Sequence, residues 1–152
     1  MTTRRKEVLK NLVETYRGAV YPWHCDHMGH MNVMWYVGKF DEATWNLFAD
    51  VGLTPAFLRE RHRAMAAVQQ DITYKRELMS GDVVAVRSGL LEMREKVVKF
   101  VHEMRDAQSG GIAAVCVITG VHMDSKTRKS TAFPAEFIAR GKERLCSYEP
   151  GR

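Results

Sequence analysis

His24-Cys25-Asp26-His27-Met28-Gly29-His30-Met31-Asn32 is the densest run of reactive side chains in the chain, and Val33-Met34-Trp35-Tyr36-Val37-Gly38-Lys39-Phe40 follows it directly. A polar loop therefore leads straight into a segment of helical pattern. Val33, Val37, Phe40, Leu47 and Val51 recur at helical spacing, while Lys39, Asp41, Asn46 and Asp50 supply polar positions. The spacing predicts a helix over about residues 32–50, with Gly52 as its stop. Trp35, Tyr36, Trp45 and Phe48 widen the apolar surface beyond one stripe. The helix is thus expected to be central and buried on most sides.

Working outward, residues 14–23 read as a first strand with Pro22 near its end. After the helix, one strand signal succeeds another. Val68, Ile72 and Tyr74 alternate within 66–76, and a Ser80-Gly81-Asp82 turn leads into Val83-Val84-Ala85-Val86. Within 96–105, Val98, Phe100, His102 and Met104 fall on one face, with Lys99 and Glu103 on the other. A Gln108-Ser109-Gly110-Gly111 turn precedes the apolar run 112–121, residues 124–130 form a basic loop, and Pro134 opens a short last helix. The order is strand, long helix, four strands. An antiparallel sheet of about five strands wrapped around one long central helix is expected, in the α+β class. Such a sheet leaves edge strands unpaired, which favours self-association by edge pairing.

Composition bounds the rest. The 152 residues, 45% hydrophobic and 27% charged, fit one soluble domain over 1–152. No stretch approaches the roughly 20 apolar residues of a membrane span, and the basic start is followed by no apolar leader run. Cys25, Cys116 and Cys146 are odd in number and widely spaced, which argues against a disulfide framework and suits a reducing cytoplasm. The net charge of +5 points to an anionic partner. Without aromatic and basic interleaving, a phosphate-bearing small molecule explains it as well as a nucleic acid does, and no nucleic-acid partner is expected.

The first-turn N–H groups of a helix lack internal partners and carry partial positive charge. Such a place polarises a carbonyl and stabilises the oxyanion formed on attack, while a nearby carboxylate attacks or activates water. Gly29 would let a ligand approach the backbone closely. By itself Asp26 reads first as a turn or helix cap. The run Asp26-x-x-Gly29-His30-Met31-Asn32-x-x-x-Tyr36 resembles the Asp-x-x-Gly-His-(Val/Met)-Asn motif of hotdog-fold thioesterases, the group that includes 4-hydroxybenzoyl-CoA thioesterases and related acyl-CoA hydrolases. The likeness continues through Tyr36-Val37-Gly38-Lys39-Phe40-Asp41-Glu42-Ala43 and Asp71-Ile72-Thr73-Tyr74-Lys75-Arg76, covering about residues 16–140.

The resemblance implies a hotdog fold and hydrolysis of an acyl-CoA, with no cofactor and a homodimer or homotetramer as the working form. Asp26 matches the catalytic carboxylate, nucleophile or general base, and the Val33 N–H matches the donor to the thioester carbonyl. Asn32 is expected as the helix N-cap, and His30 either lines the site or orients the loop. Gly29, Tyr36 and Tyr74 fall to substrate binding, with Lys75, Arg76 and Arg128 available for CoA phosphates across a subunit interface. Val33 replaces a polar side chain common at its position, Asp41 replaces the usual Glu, and Glu77 replaces a common Pro. Val33 gives some weight to an alternative, a non-catalytic acyl-CoA-binding module. A metal site built from His24, His27 and His30 is a further alternative, but their i, i+3, i+6 spacing fits neither common zinc pattern, so no metal is expected. Cys25 beside Asp26 is a poor nucleophile, because an adjacent carboxylate raises a thiol's pKa.

Overall fold

The computed structural model describes residues 12–148. Strand β1 (Val13–Ala19) precedes a 3₁₀ turn at Pro22–His24 and helix α1 (Val33–Asp50). A short α2 (Pro55–Glu60) leads into β2 (Arg63–Tyr74), β3 (Val83–Met93), β4 (Val97–Asp106) and β5 (Ile112–Asp124), and α3 (Ala135–Glu143) follows. The five strands form one antiparallel sheet in the order β1-β3-β4-β5-β2. The α+β expectation therefore stands, with α1 packed against the sheet.

Asn32 caps α1 as its sequence position implies, its side-chain oxygen accepting from the Met34 N–H at 2.9 Å. At the other end Gly52 takes φ 92°, a left-handed conformation that glycine adopts without a Cβ clash. Between the caps, Phe40, Ala43, Leu47 and Phe48 are buried and join Phe100 and Ile118 in the core. Each large side chain removed from water contributes about 1.5–3 kcal/mol, so this face holds the helix in place.

Several local expectations change. The helix is not buried on most sides: Val33 is 57% exposed and Val37 and Trp45 are also open, while Lys39, expected as a polar surface position, is buried. Lys39 is accommodated because its ammonium donates to Tyr16 Oη at 2.7 Å. The first strand ends before Pro22, which instead starts the 3₁₀ turn, where its missing N–H costs nothing. Helix α2 adds an element the strand signals concealed: Thr54 Oγ1 accepts from the Phe57 N–H at 3.1 Å, with Pro55 in the first turn. β3 continues well past Val86 to Met93. Glu103 is buried rather than solvated, with Arg105 and Tyr148 both donating to its carboxylate.

β2 does not form a hairpin with β3. It pairs with β5, from Arg63 opposite Asp124 to Tyr74 opposite Ala114, and forms an outer edge of the sheet. Val68, 62% exposed, falls in the register break between Ala67 and Gln69 on that edge. No helix among the described residues is long and apolar enough to cross a membrane.

Candidate active site

The loop before α1 closes on itself. Cys25 and Met31 form an isolated antiparallel bridge, the Asp26 N–H donates to His30 O at 3.2 Å, and the Gly29 N–H donates to Asp26 O at 3.0 Å. Gly29 turns the chain at φ 87°, and the space where its Cβ would stand is open. The Met31 N–H on Leu78 O at 2.8 Å ties the loop to the segment after β2. A short, doubly anchored loop of this kind fixes the direction of the Asp26 side chain.

Both Asp26 oxygens are engaged. Oδ1 accepts from the Met28 N–H at 2.9 Å, and Oδ2 accepts from Asn32 Nδ2 at 2.8 Å. The Asn32 amide therefore bridges the carboxylate to the first turn of α1, since its own oxygen holds the Met34 N–H. Led by the Asn32 hydrogen bond and then by that from Met28, these contacts hold the Asp26 carboxyl below the usual carboxylate range. The group is ionised at neutral pH. Of the first-turn donors, Met34 N–H goes to Asn32 Oδ1 and Trp35 N–H to Asn32 O, while the Val33 N–H has no acceptor among the described residues. An ionised carboxylate thus lies one hydrogen-bonded residue from an uncommitted helix N-terminal donor, an arrangement able to act as base or nucleophile beside a polarised carbonyl.

The three histidines do not converge. His24 is buried, its Nδ1 takes the Tyr21 N–H at 3.0 Å, and its ring packs 4.5 Å from Trp35. Burial, followed by the Lys39 charge, pushes its pKa down. His27 is exposed, and His30 Nε2 faces Glu77 Oε1 at 3.5 Å. No group of three His, Cys, Asp or Glu among the described residues could hold a metal ion. Cys25 is half-buried, with Sγ 3.8 Å from Tyr21 O.

The proposed substrate-binding residues divide between two ends of the sheet. Tyr36 is buried, donates to Arg76 O at 3.3 Å and packs edge-on to Tyr74 at 5.1 Å, so α1 is fastened to the far end of β2 near the Asp26 loop. Exposed Lys75 and Arg76 extend from that end, with Arg76 Nη1 donating to Ser109 Oγ at 2.9 Å. Arg128 follows β5, whose last residue Asp124 pairs with Arg63 at the opposite end of β2. Within one chain it does not join the other basic residues at the loop. Sequence reading also misses the Met28 N–H, the His30–Glu77 contact and a cavity of ≈ 200 Å³ between α1 and the sheet. Asp41, Thr44, Trp45 and Phe48 of α1 line that cavity together with Ala66 and Gln70 of β2. Backbone donors leave no side-chain signature, but the unusual Asp41 was a legible signal.

Comparison with known proteins agrees with this architecture. A family model described as thioesterase-like superfamily matches residues 20–141. The L-carnitine dehydrogenase/betainyl-CoA thioesterase of Rhizobium meliloti is 29% identical over 129 residues, 85% of this chain but 25% of that protein. This chain thus spans about a quarter of that relative's length. The betainyl-CoA thioesterase of Pseudomonas aeruginosa is 25% identical over 132 residues, 87% of this chain and 83% of the relative. Among solved structures, a Staphylococcus aureus protein in complex with CoA superposes with a TM-score of 0.83 at 20% identity, covering 92% of this chain and 90% of that one.

Proposed function

Because this chain belongs to the thioesterase-like superfamily, we propose that it hydrolyses an acyl-CoA thioester, with Asp26 as its nucleophile or general base. The observation that carries this reading is the Asp26 carboxylate, kept ionised and joined through Asn32 to the N-terminus of α1. The thioester carbonyl oxygen docks on the Val33 N–H, which gains most when that oxygen becomes an oxyanion. As a base, Asp26 takes a proton from water while the hydroxide adds to the carbonyl carbon. The C–S bond then breaks, CoA leaves as thiolate and recovers a proton, and the acid is released. As a nucleophile, Asp26 expels the thiolate first and water cleaves the resulting anhydride. A thioester is already an activated acyl group, so the reaction needs no resident cofactor.

Lys75 and Arg76 support binding of the CoA phosphates beside the loop. Arg128 is assigned to the site of a second copy, since its own loop lies at the other end of the sheet. His30 orients the loop through its contact with Glu77, and Gly29 leaves room for the thioester. Names of two relatives place a betaine thioester among the substrates to try.

Thiol release from a panel of acyl-CoAs, with wild type beside Asp26→Asn, tests the reading. Loss of about 10²–10⁴-fold in the variant, with fold and CoA binding retained, is the expected result. CoA binding without thiol release from any thioester would make the chain a non-catalytic acyl-CoA-binding module instead.

A further inference from the structure

The cavity beside α1 has a one-sided electrostatic character. Asp41 is the one charged residue lining it among the described residues, in a chain of net charge +5. Thr44 Oγ1 donates its hydrogen to Phe40 O at 2.9 Å and lies 2.8 Å from His102 Nε2, which must then be the donor in that contact. Ser88 Oγ, 2.5 Å from His102 Nδ1, supplies the hydrogen on the other side of the ring. Toward a ligand Thr44 can therefore only accept. Aromatic rings form part of the remaining wall, where Trp45 meets Phe48 edge-on at 5.8 Å and Phe48 meets Phe100 at 5.3 Å; the rest is aliphatic apart from the neutral amide of Gln70. With Asp41 as the one net charge and Gln70 a neutral amide able to turn its oxygen inward, the carboxylate, the acceptor-only hydroxyl and the aromatic rings favour a cation over an anion.

We propose that this cavity receives the head of a positively charged acyl group, of the trimethylammonium type, held by the Asp41 carboxylate and the rings of Trp45 and Phe48. This assignment rests on the thioesterase reading and names its substrate class. At a rise of about 1.5 Å per residue, Asp41 stands about 12 Å along α1 from Val33. A long acyl chain with a terminal cation spans that length within one protomer. A short one is instead presented by the loop of a second copy, because antiparallel pairing of two β2 edges brings the far end of one strand beside the near end of the other. The charge requirement is common to both.

The test uses isosteric pairs that differ in charge alone. Trimethylammonioacetyl-CoA is compared with 3,3-dimethylbutanoyl-CoA, and 8-(trimethylammonio)octanoyl-CoA with 9,9-dimethyldecanoyl-CoA. In at least one pair, kcat/KM for the cationic member is expected to exceed that of the neutral one about tenfold, a span that carboxylate and aromatic contacts reach together. Asp41→Asn and Trp45→Leu should each shrink that ratio severalfold, and the pair that responds tells which length is used. Calorimetric titration of the same pairs into Asp26→Asn gives a Kd ratio that does not depend on turnover. Equal values within both pairs, or a cationic preference unchanged in Asp41→Asn, would overturn the assignment. Selective binding of the cationic member without turnover of any thioester would sink the hydrolase reading and leave the cavity's guest as stated.

Discussion

Asn32 uses the two ends of one amide in different ways, the oxygen on the Met34 N–H and the nitrogen on Asp26 Oδ2. Asn32→Ala should consequently have two separable effects. Loss of the cap costs about 1 kcal/mol, read as a lower Tm or denaturation midpoint. Loss of the hydrogen bond lets the Asp26 carboxyl rise toward its ordinary value. In the proposed mechanism the ionised carboxylate does the work, so the acid limb of the kcat/KM profile should move to higher pH in this variant. An acid limb that stays put would show that Asn32 caps the helix and nothing more. At this scale the sequence was informative where local geometry needs a particular residue, as at the Asn32 cap and the left-handed Gly29. It was silent on the Met28 N–H, because every residue but proline carries one. It gave no spatial order to the basic residues: Arg128 follows β5 at the end of β2 opposite Lys75 and Arg76, which one dimension does not tell.

Elements carry the pH dependence of stability. His102 on β4 is wholly buried between the Phe40 and Phe100 rings, and burial pushes its imidazole down to about 3. The unfolded chain takes up this proton near pH 6.5 and the folded chain does not. Stability is therefore unaffected above about 6.5 and is lost as pH falls from there toward 3, by up to about 1.4 kcal/mol per pH unit. Chemical denaturation at pH 7 and pH 5 should show that fall in wild type. His102→Gln should be less stable at pH 7, having broken a buried network, yet show a shallower decline. A decline of equal steepness would place the effect on other groups, His24 and His122 first, whose pKa values burial also lowers. The alternation of 96–105 identified the face that His102 shares with Val98, Phe100 and Met104. Lys39 and Glu103 were misjudged for one reason: a charged residue reads as solvated unless its hydrogen-bond partner, Tyr16 or Tyr148, can be foreseen.

For the whole molecule, assembly turns on β2, an outer strand of the sheet. An outer strand with exposed Val68 and Tyr74 presents backbone donors and acceptors to a second copy, and α1 offers Val33 and Val37 nearby. Sedimentation equilibrium should give at least twice the chain mass of 17.4 kDa for wild type. Val68→Lys, a charge on that edge, should shift the protein toward monomer and lower thioesterase activity with it. A wild-type monomer at micromolar concentration would remove edge pairing, and Arg128 with it, from the account. Sheet order was the least legible property. β2 and β3 follow one another like a hairpin, and only the three-dimensional register sends β2 to pair with β5. Tyr148 sets a boundary of a practical sort. Its phenol reaches back to the enclosed Glu103 from beyond α3. Anyone trimming this protein to its last helix would uncap a carboxylate in the interior and leave Arg105 as its remaining side-chain hydrogen-bond donor among the described residues. The shortest sound version must keep the chain through residue 148.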